Sequence, residues 1–136
     1  MDIRQLAVQE TAVLHLRDGA DNLLYEGGDL AKPVTITLYS PGSKVYAKAS
    51  AERNNRIVAR LKQKGKADRT AEESAQEAAE FLAACTHSFA HIELDDLQGE
   101  ALYLAVYTDA SIGFIAEQAG KYLGEWGNFT KGLATS

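Results

Sequence analysis

The chain has 136 residues, of which 46% are hydrophobic and 24% charged, and it carries a net charge of −5 at neutral pH. These values predict one soluble globular domain, residues 1–136, large enough to bury its own core. They argue against a membrane-spanning chain, because no run approaches the roughly 18 apolar residues that a span needs. The single cysteine, Cys85, cannot close an internal disulfide, so we expect a reducing cytoplasm.

The charge is unevenly distributed along the chain. Residues 44–69 hold nine Lys and Arg against two acidic residues, so this segment carries +7 and the rest of the chain −12. Such asymmetry bears on partners and assembly, and not on the fold.

Residues 11–39 are predicted to form a small antiparallel β-hairpin. Residues 11–17 alternate between two faces, and residues 34–39 are rich in β-branched and aromatic side chains. Asp-Gly and Gly-Gly turn signals lie between the two runs. Residues 1–10 have weak patterning and are expected to be a frayed arm or a short helix.

A long helix is predicted after the turn at residues 41–43. Ser40 or Ser43 can cap a helix that runs from about residue 42 to residue 64 and ends at Gly65. Arg53 falls near the middle of its inner face. Either its methylenes pack while the guanidinium reaches solvent or a carboxylate, or it contacts a neighbouring subunit or partner. The rest of that face is apolar: Tyr46, Ala49, Ile57 and Leu61.

A second helix is predicted to begin with a capping box, in which Thr70 and Glu73 satisfy each other's backbone donors. Steps of three and four residues then predict a narrow packing seam of mostly small side chains: Ala71, Ala75, Ala78, Leu82, Cys85 and Phe89. Glu73, Glu77 and Glu80 are expected on the opposite, solvated face.

The sequence after residue 85 predicts two further helices. Residues 86–96 are interpreted as a connection, and a short helix is expected over residues 100–107. A final helix is capped by Thr108 or Asp109 and runs through about Trp126, with Gly127 as its C-cap, before a loose tail at 129–136. The predicted fold is therefore α+β and predominantly helical, with the hairpin followed by about four helices over residues 42–128.

The strand-to-helix turn at Gly42-Ser43-Lys44 invites interpretation as a phosphate loop. A Walker loop needs G-x-x-x-x-G-K-[ST], with glycines that let backbone N–H groups surround phosphate. Here one glycine precedes Ser-Lys, and the order of those two residues is reversed. We expect an ordinary helix start and no bound nucleotide.

Metal binding and catalysis also lack a complete motif. The densest group of potential ligands has no CxxC or HExxH spacing: Cys85, His87, His91, Glu93, Asp95 and Asp96. No G-x-S-x-G motif frames a nucleophilic serine. We expect no metal, no cofactor and no enzymatic activity, which leaves a protein that acts through contact.

Three segments resemble the tail assembly chaperones of long-tailed bacteriophages, the group related to the lambda and HK97 tail chaperones. "PVTITLYSPGSKVYAKASAER" at residues 33–53 is similar to the strand–PGS–helix entry of that family. The central helix and its exit are matched by Glu72-Glu73, residues 77–86, Ser88-Phe89 and Ile92-Glu93. "IGFIAEQAGKYLGEWGNF" at residues 112–129 resembles the closing helix. The order and spacing of the segments, which span about residues 11–129, carry the resemblance.

The resemblance implies a non-enzymatic assembly factor made in the cytoplasm of the bacterial host and absent from the finished virion. Such a factor binds the tape measure protein and helps recruit tail tube subunits to it. A programmed frameshift produces a longer form in the family, and this chain would be the short form. The linker at residues 65–69 is brief and basic, which departs from the family pattern. We therefore do not infer the angle between the two helices from the family.

Residue roles are predicted from the helix faces and not from the resemblance. Client contacts are expected at Tyr46, Ile57, Tyr122 and Trp126, although these residues could equally form the core. We expect a homo-oligomer in which basic residues of one copy meet acidic residues of the next: Arg53, Arg56 and Arg60 against Glu73, Glu77 and Glu80.

Two alternatives remain. One is a structural tail or connector protein that stays in the particle. The other is a nucleic-acid-binding protein that uses the basic segment at residues 44–69. The acidic charge of the whole chain and the absence of a recognised motif argue against the second. No membrane partner is expected.

Overall fold

The fold is α+β, with a three-stranded antiparallel sheet and four α-helices. A computed structural model describes residues 1–64 and 70–130. The strands are β1 (Thr11–His15), β2 (Thr35–Tyr39) and β3 (Thr86–Ala90). The helices are α1 (Lys44–Lys64), α2 (Ala71–Ala84), α3 (Gly99–Thr108) and α4 (Gly113–Leu123).

The predicted hairpin is confirmed as the pairing of β1 with β2. The strands are antiparallel and Leu14 lies opposite Ile36. Alternation places Ile36 and Leu38 on the helix-covered face, where both are fully buried. Thr35, Thr37 and Tyr39 point to the other face.

The prediction of a connection at residues 86–96 is wrong for its first half, because residues Thr86–Ala90 form β3. This strand pairs antiparallel with β2, which places Phe89 opposite Ile36 and makes β2 the central strand. Only Cys85 separates α2 from β3. The strand is specified by its pairing with β2, a distant segment, and not by a local turn signal.

Side chains from two helices cover the outer edges of the sheet. Tyr122 donates its hydroxyl to the carbonyl of Val13 in β1 at 3.1 Å, and Tyr103 donates to the carbonyl of His87 in β3 at 3.3 Å. The side-chain amide of Gln118 accepts from the N–H of Arg17 and donates to its carbonyl, both at 2.7 Å. Occupied edges discourage strand pairing with another chain.

The predicted helix caps are confirmed in part. Ser43 Oγ accepts from the N–H of Tyr46 at 3.1 Å, and Thr70 Oγ1 accepts from the N–H of Glu73 at 3.1 Å. The predicted C-terminus of α1 at Gly65 lies outside the described residues. Asp109 caps a short 3₁₀ turn that leads into α4, accepting from the N–H of Ser111 at 2.9 Å.

The last helix is shorter than predicted. It ends at Leu123, and residues Trp126–Phe129 form a separate 3₁₀ turn. The predicted loose tail is wrong at its start, since Phe129 is 1% exposed and Thr130 bridges to Val8. The rest of that tail, residues 131–136, lies outside the described residues.

The core lies between the sheet and helices α2, α3 and α4. Its largest buried side chains are Phe129, Leu16, Ile36, Leu38 and Val106. Helix α1 contributes one buried apolar residue, Ala49, and packs mainly against α2. Across the described ranges, no helix combines the length and apolar character needed to cross a membrane.

Candidate functional site

An open groove lies between α1, α2 and α4, with a volume of about 410 Å³. Helix α1 contributes Tyr46 and Arg53, and α2 contributes Phe81 among others. The full lining is Tyr46, Arg53, Ala78, Phe81, Leu82, Ala116, Glu117, Gly120, Leu123 and Gly124. We call this feature the α1/α2/α4 groove. Most of its lining is apolar, and its charged members, Arg53 and Glu117, come from different helices.

The groove is open because small residues stand where larger ones would fill it. Ala78 and Ala116 carry single methyl groups, and Gly120 carries no side chain. A Cβ atom added at Gly120 would meet no atom within 4 Å. Larger side chains at these three positions would reduce the volume of the groove.

Phe81 is an aromatic side chain that lines the groove, and two neighbours contact its ring. Tyr46 packs edge-to-face against it, with ring centroids 5.4 Å apart and an interplanar angle of 80°. The Cζ atom of Arg53 lies 5.2 Å from the ring centroid, a cation–π arrangement. The sequence interpretation did not select Phe81, although its place between Ala78 and Leu82 was an available signal.

The prediction of a buried packing seam on α2 is wrong. Ala71, Ala75 and Ala78 are exposed, whereas Leu82 and Cys85 are buried. Phe89, the last predicted member, belongs to β3. The helix instead buries Ala79, Leu82 and Ala83 towards the core, so the face that carries Ala78 is left beside the groove.

The six residues predicted to join copies lie together within one chain. Arg53 Nε donates to Glu77 Oε1 at 3.1 Å, and Arg60 Nη1 donates to Glu77 Oε2 at 3.0 Å. Two further ion pairs among these six residues are Arg56–Glu80 at 3.1 Å and Arg60–Glu73 at 3.3 Å. These contacts join α1 to α2. For Arg53 they correspond to the predicted alternative in which its guanidinium meets a carboxylate of its own chain.

The prediction that Glu73, Glu77 and Glu80 lie on a solvated face of α2 is therefore wrong. The Glu77 side chain is 1% exposed, and those of Glu73 and Glu80 are 28% and 34% exposed. Apolar spacing alone predicts that side chains opposite the apolar residues are exposed. Arginines on α1 turn this acidic face inward instead.

The four predicted client residues do not form one site. Only Tyr46 lines the α1/α2/α4 groove. Ile57 is half-buried on α1. Tyr122 covers the edge of β1, and burial raises the pKa of its hydroxyl. Trp126 lies beyond α4, with 57% of its surface exposed.

The potential metal ligands are dispersed. The Cys85 thiol is buried, and desolvation raises its pKa to about 12, which opposes the thiolate form that binds metals. His87 packs against the ring of Tyr39, and His91 Nδ1 lies 2.8 Å from the carbonyl of Pro33. Over residues 1–64 and 70–130, no three His, Cys, Asp or Glu side chains are grouped so as to hold an ion.

The strand-to-helix turn has a structural role. Ser43 Oγ donates to the carbonyl of Ser40 at 2.7 Å while it caps α1. A Cβ at Gly42 would lie 2.8 Å from Val8 Cγ2 and 3.5 Å from the Trp126 ring, so the backbone is packed closely there. The turn fixes the direction of α1, and with it the position of Tyr46.

The groove combines an aromatic side chain, small neighbours and one charged residue from each of two helices. An aromatic floor with small neighbours suits the apolar face of an amphipathic helix, and charged residues at its sides can fix the orientation. Protein-family models, curated proteins and solved structures were compared with the chain, and none of them matches it.

Proposed function

We propose that this chain is a non-enzymatic tail assembly chaperone of a long-tailed bacteriophage. In this proposal it acts in the cytoplasm of the bacterial host, binds the tape measure protein and helps recruit tail tube subunits. The client lies in the α1/α2/α4 groove as an amphipathic helix.

One observation carries the proposal. Every residue that lines the groove falls within the three segments that resemble the chaperone family: residues 33–53, 77–86 and 112–129. These segments are separated along the chain, yet α1, α2 and α4 bring them to one concave surface. A resemblance produced by core packing alone would not be expected to converge on an open groove.

The groove suits a long client that is bound by many copies. Full burial of one Leu or Phe side chain contributes about 1.5–3 kcal/mol, whereas association costs at least about 4 kcal/mol. One groove that accepts one or two client side chains therefore binds weakly. Copies bound side by side on a long helical protein gain affinity through effective concentration.

The test is co-expression with a tape measure protein. We expect the wild-type chain to keep the client soluble and to co-purify with it. Gly120→Gln places a polar side chain in the groove and should reduce the recovered client at least tenfold. Gly19→Gln is the matched control, because a Cβ at Gly19 also meets no atom within 4 Å but lies outside the groove.

Two results would contradict the proposal. In one, the client stays insoluble beside the wild-type chain and no complex forms. In the other, mass spectrometry of purified virions finds this chain at the abundance of a structural protein. The second result would favour the tail or connector alternative.

A further inference from the structure

The N-terminal segment, residues 1–6, presents apolar side chains that are largely exposed in the described part of the chain. Residues Ile3–Leu6 form a single 3₁₀ turn, in which Ile3 is 71% exposed and Leu6 is 56% exposed. Side chains three residues apart are eclipsed in a 3₁₀ helix, so these two form one row. We call residues 1–6 the N-terminal arm.

The arm is ordered locally and attached at its base. The Asp2 carboxylate accepts from the N–H of Arg4 at 3.0 Å, and the carbonyl of Asp2 accepts from the N–H of Gln5 at 3.0 Å. At the base, the N–H of Gln9 donates to the carbonyl of Phe129 at 2.8 Å. A preformed apolar turn loses less conformational entropy on docking than a disordered segment does.

The charges of the arm complement those of the α1/α2/α4 groove. The arm places acidic Asp2 and basic Arg4 on either side of Ile3. The groove offers basic Arg53 from α1 and acidic Glu117 from α4. The arm and the groove are therefore each apolar with one acidic and one basic residue, and each charge of the arm has a partner of opposite sign in the groove.

We propose that the arm of one copy docks in the α1/α2/α4 groove of a second copy. Ile3 and Leu6 pack near Phe81, Asp2 pairs with Arg53 and Arg4 pairs with Glu117. The donor is a second copy because, over the described residues, none of residues 1–9 lines the groove of its own chain. The inference shares its groove with the proposed function, so the arm and the client helix compete for one surface, and the head-to-tail assembly forms without client.

This contact joins two different surfaces and is therefore head-to-tail. A copy whose arm is docked still offers its own groove to another arm, so copies add in one direction and form rings or open chains. This arrangement differs from the predicted contacts between arginines and glutamates of different copies, because Glu73, Glu77 and Glu80 bind arginines of their own chain. Arg53 uses Nε for Glu77, and the proposed contact with Asp2 uses its terminal nitrogens.

Mixing two variants in sedimentation velocity tests the inference. The arm variant is Ile3→Ser with Leu6→Ser, which leaves the groove intact, and the groove variant is Gly120→Gln, which leaves the arm intact. We expect wild-type chains of 14.7 kDa to form species that grow with concentration. Each variant alone should stay monomeric to at least tenfold higher concentration, and the mixture should form a 1:1 dimer and nothing larger.

The mixture also serves as the folding control, because dimer formation requires a folded partner on each side. Leu30→Ser removes another exposed leucine, 76% exposed, and should associate like the wild-type chain. Wild-type chains that remain monomeric at every concentration would overturn the inference. So would a groove variant that associates as well as the wild-type chain, or two variants that fail to dimerise with each other.

The outcome is separable from that of the proposed function. A head-to-tail assembly that forms as described, beside a tape measure protein that is not bound, supports the inference and contradicts the chaperone. If the chain binds the tape measure protein but never self-associates, the result supports the chaperone function and contradicts the inference.

Discussion

Arg60 donates a hydrogen bond from Nη1 to Oε2 of Glu77 at 3.0 Å, and the side chain of this glutamate is 1% exposed. The other carboxylate oxygen accepts from Arg53 Nε at 3.1 Å. One buried carboxylate therefore joins two turns of α1 to the middle of α2. Since α1 buries little apolar surface, this contact helps to hold one side of the groove in place.

Replacing Glu77 should loosen α1 from α2. We expect Glu77→Gln to lower the free energy of unfolding by about 2 kcal/mol. This is less than the roughly 3–5 kcal/mol for breaking a fully buried pair, because both arginines reach water. Urea denaturation measures the change, with Glu72→Gln on the exposed surface of the same helix as the control. Equal unfolding midpoints for the two variants would contradict the assignment.

The Cys85 thiol should be unreactive in the folded protein. Burial raises its pKa from 9.0 to about 12, so the thiolate that attacks disulfide reagents is scarce at pH 8. We expect an aromatic disulfide reagent to modify the thiol at least a hundredfold faster in 8 M urea than in buffer. Modification at equal rates under both conditions would show that the thiol is accessible.

The same burial should make stability fall at alkaline pH. The folded state holds the Cys85 proton more tightly than the unfolded state does, so this stability is complete below about pH 9 and is lost as pH rises towards 12. Burial also raises the pKa of Tyr107 above 10.0, which acts in the same direction. Cys85→Ala should therefore lose less stability between pH 8 and pH 10.5 than the wild-type chain in urea titrations. An identical pH dependence would contradict this.

Gly42 should not tolerate a side chain. A Cβ there would lie 2.8 Å from Val8 Cγ2, and the stiff valine cannot easily rotate away. We expect Gly42→Ala to cost about 1 kcal/mol of stability and to shift the fluorescence of nearby Trp126. Gly19→Ala, where the added atom meets nothing within 4 Å, is the control. A neutral Gly42→Ala variant with unchanged fluorescence would mean that the contact is looser than described.

Gln118 should protect the backbone just beyond the end of β1. It makes hydrogen bonds to both the N–H and the carbonyl of Arg17, each at 2.7 Å. We expect Gln118→Met to lower stability by about 1 kcal/mol and to speed hydrogen exchange of the Arg17 amide. Gln98→Met, at a site without a side-chain cap bond, should change neither property. Unchanged Arg17 exchange in Gln118→Met would exclude this role.

Local signals in the sequence predicted most elements of the fold. The β1–β2 hairpin, the Ser43 and Thr70 caps and the α3 helix each depend on residues close together in the chain. The strand Thr86–Ala90 depends on β2, some 50 residues earlier, and no local pattern marked it. The end of α4 was placed too late because Trp126 continued the apolar spacing, although it lies in a separate turn.

The site was predicted less well than the fold. The sequence identified Ala78 as part of a small-residue stripe, but periodicity cannot say whether such a stripe is buried or borders an open groove. It also set Arg53, Arg56 and Arg60 as a group against Glu73, Glu77 and Glu80, as contacts between copies, whereas the structure shows ion pairs among these residues within one chain. Complementary charge shows which residues attract each other, whereas the path of the chain decides whether they meet in the same molecule.

Photo-cross-linking from the groove shows directly whether the client lies there. A benzoylphenylalanine in place of Glu117, at the groove, would be irradiated in cells that also make the tape measure protein. We expect an adduct between this position and a helical segment of the tape measure protein, at least tenfold more abundant than from the same probe at Leu30. Equal yields from the two positions, or no adduct at the groove while the client is soluble, would contradict this expectation.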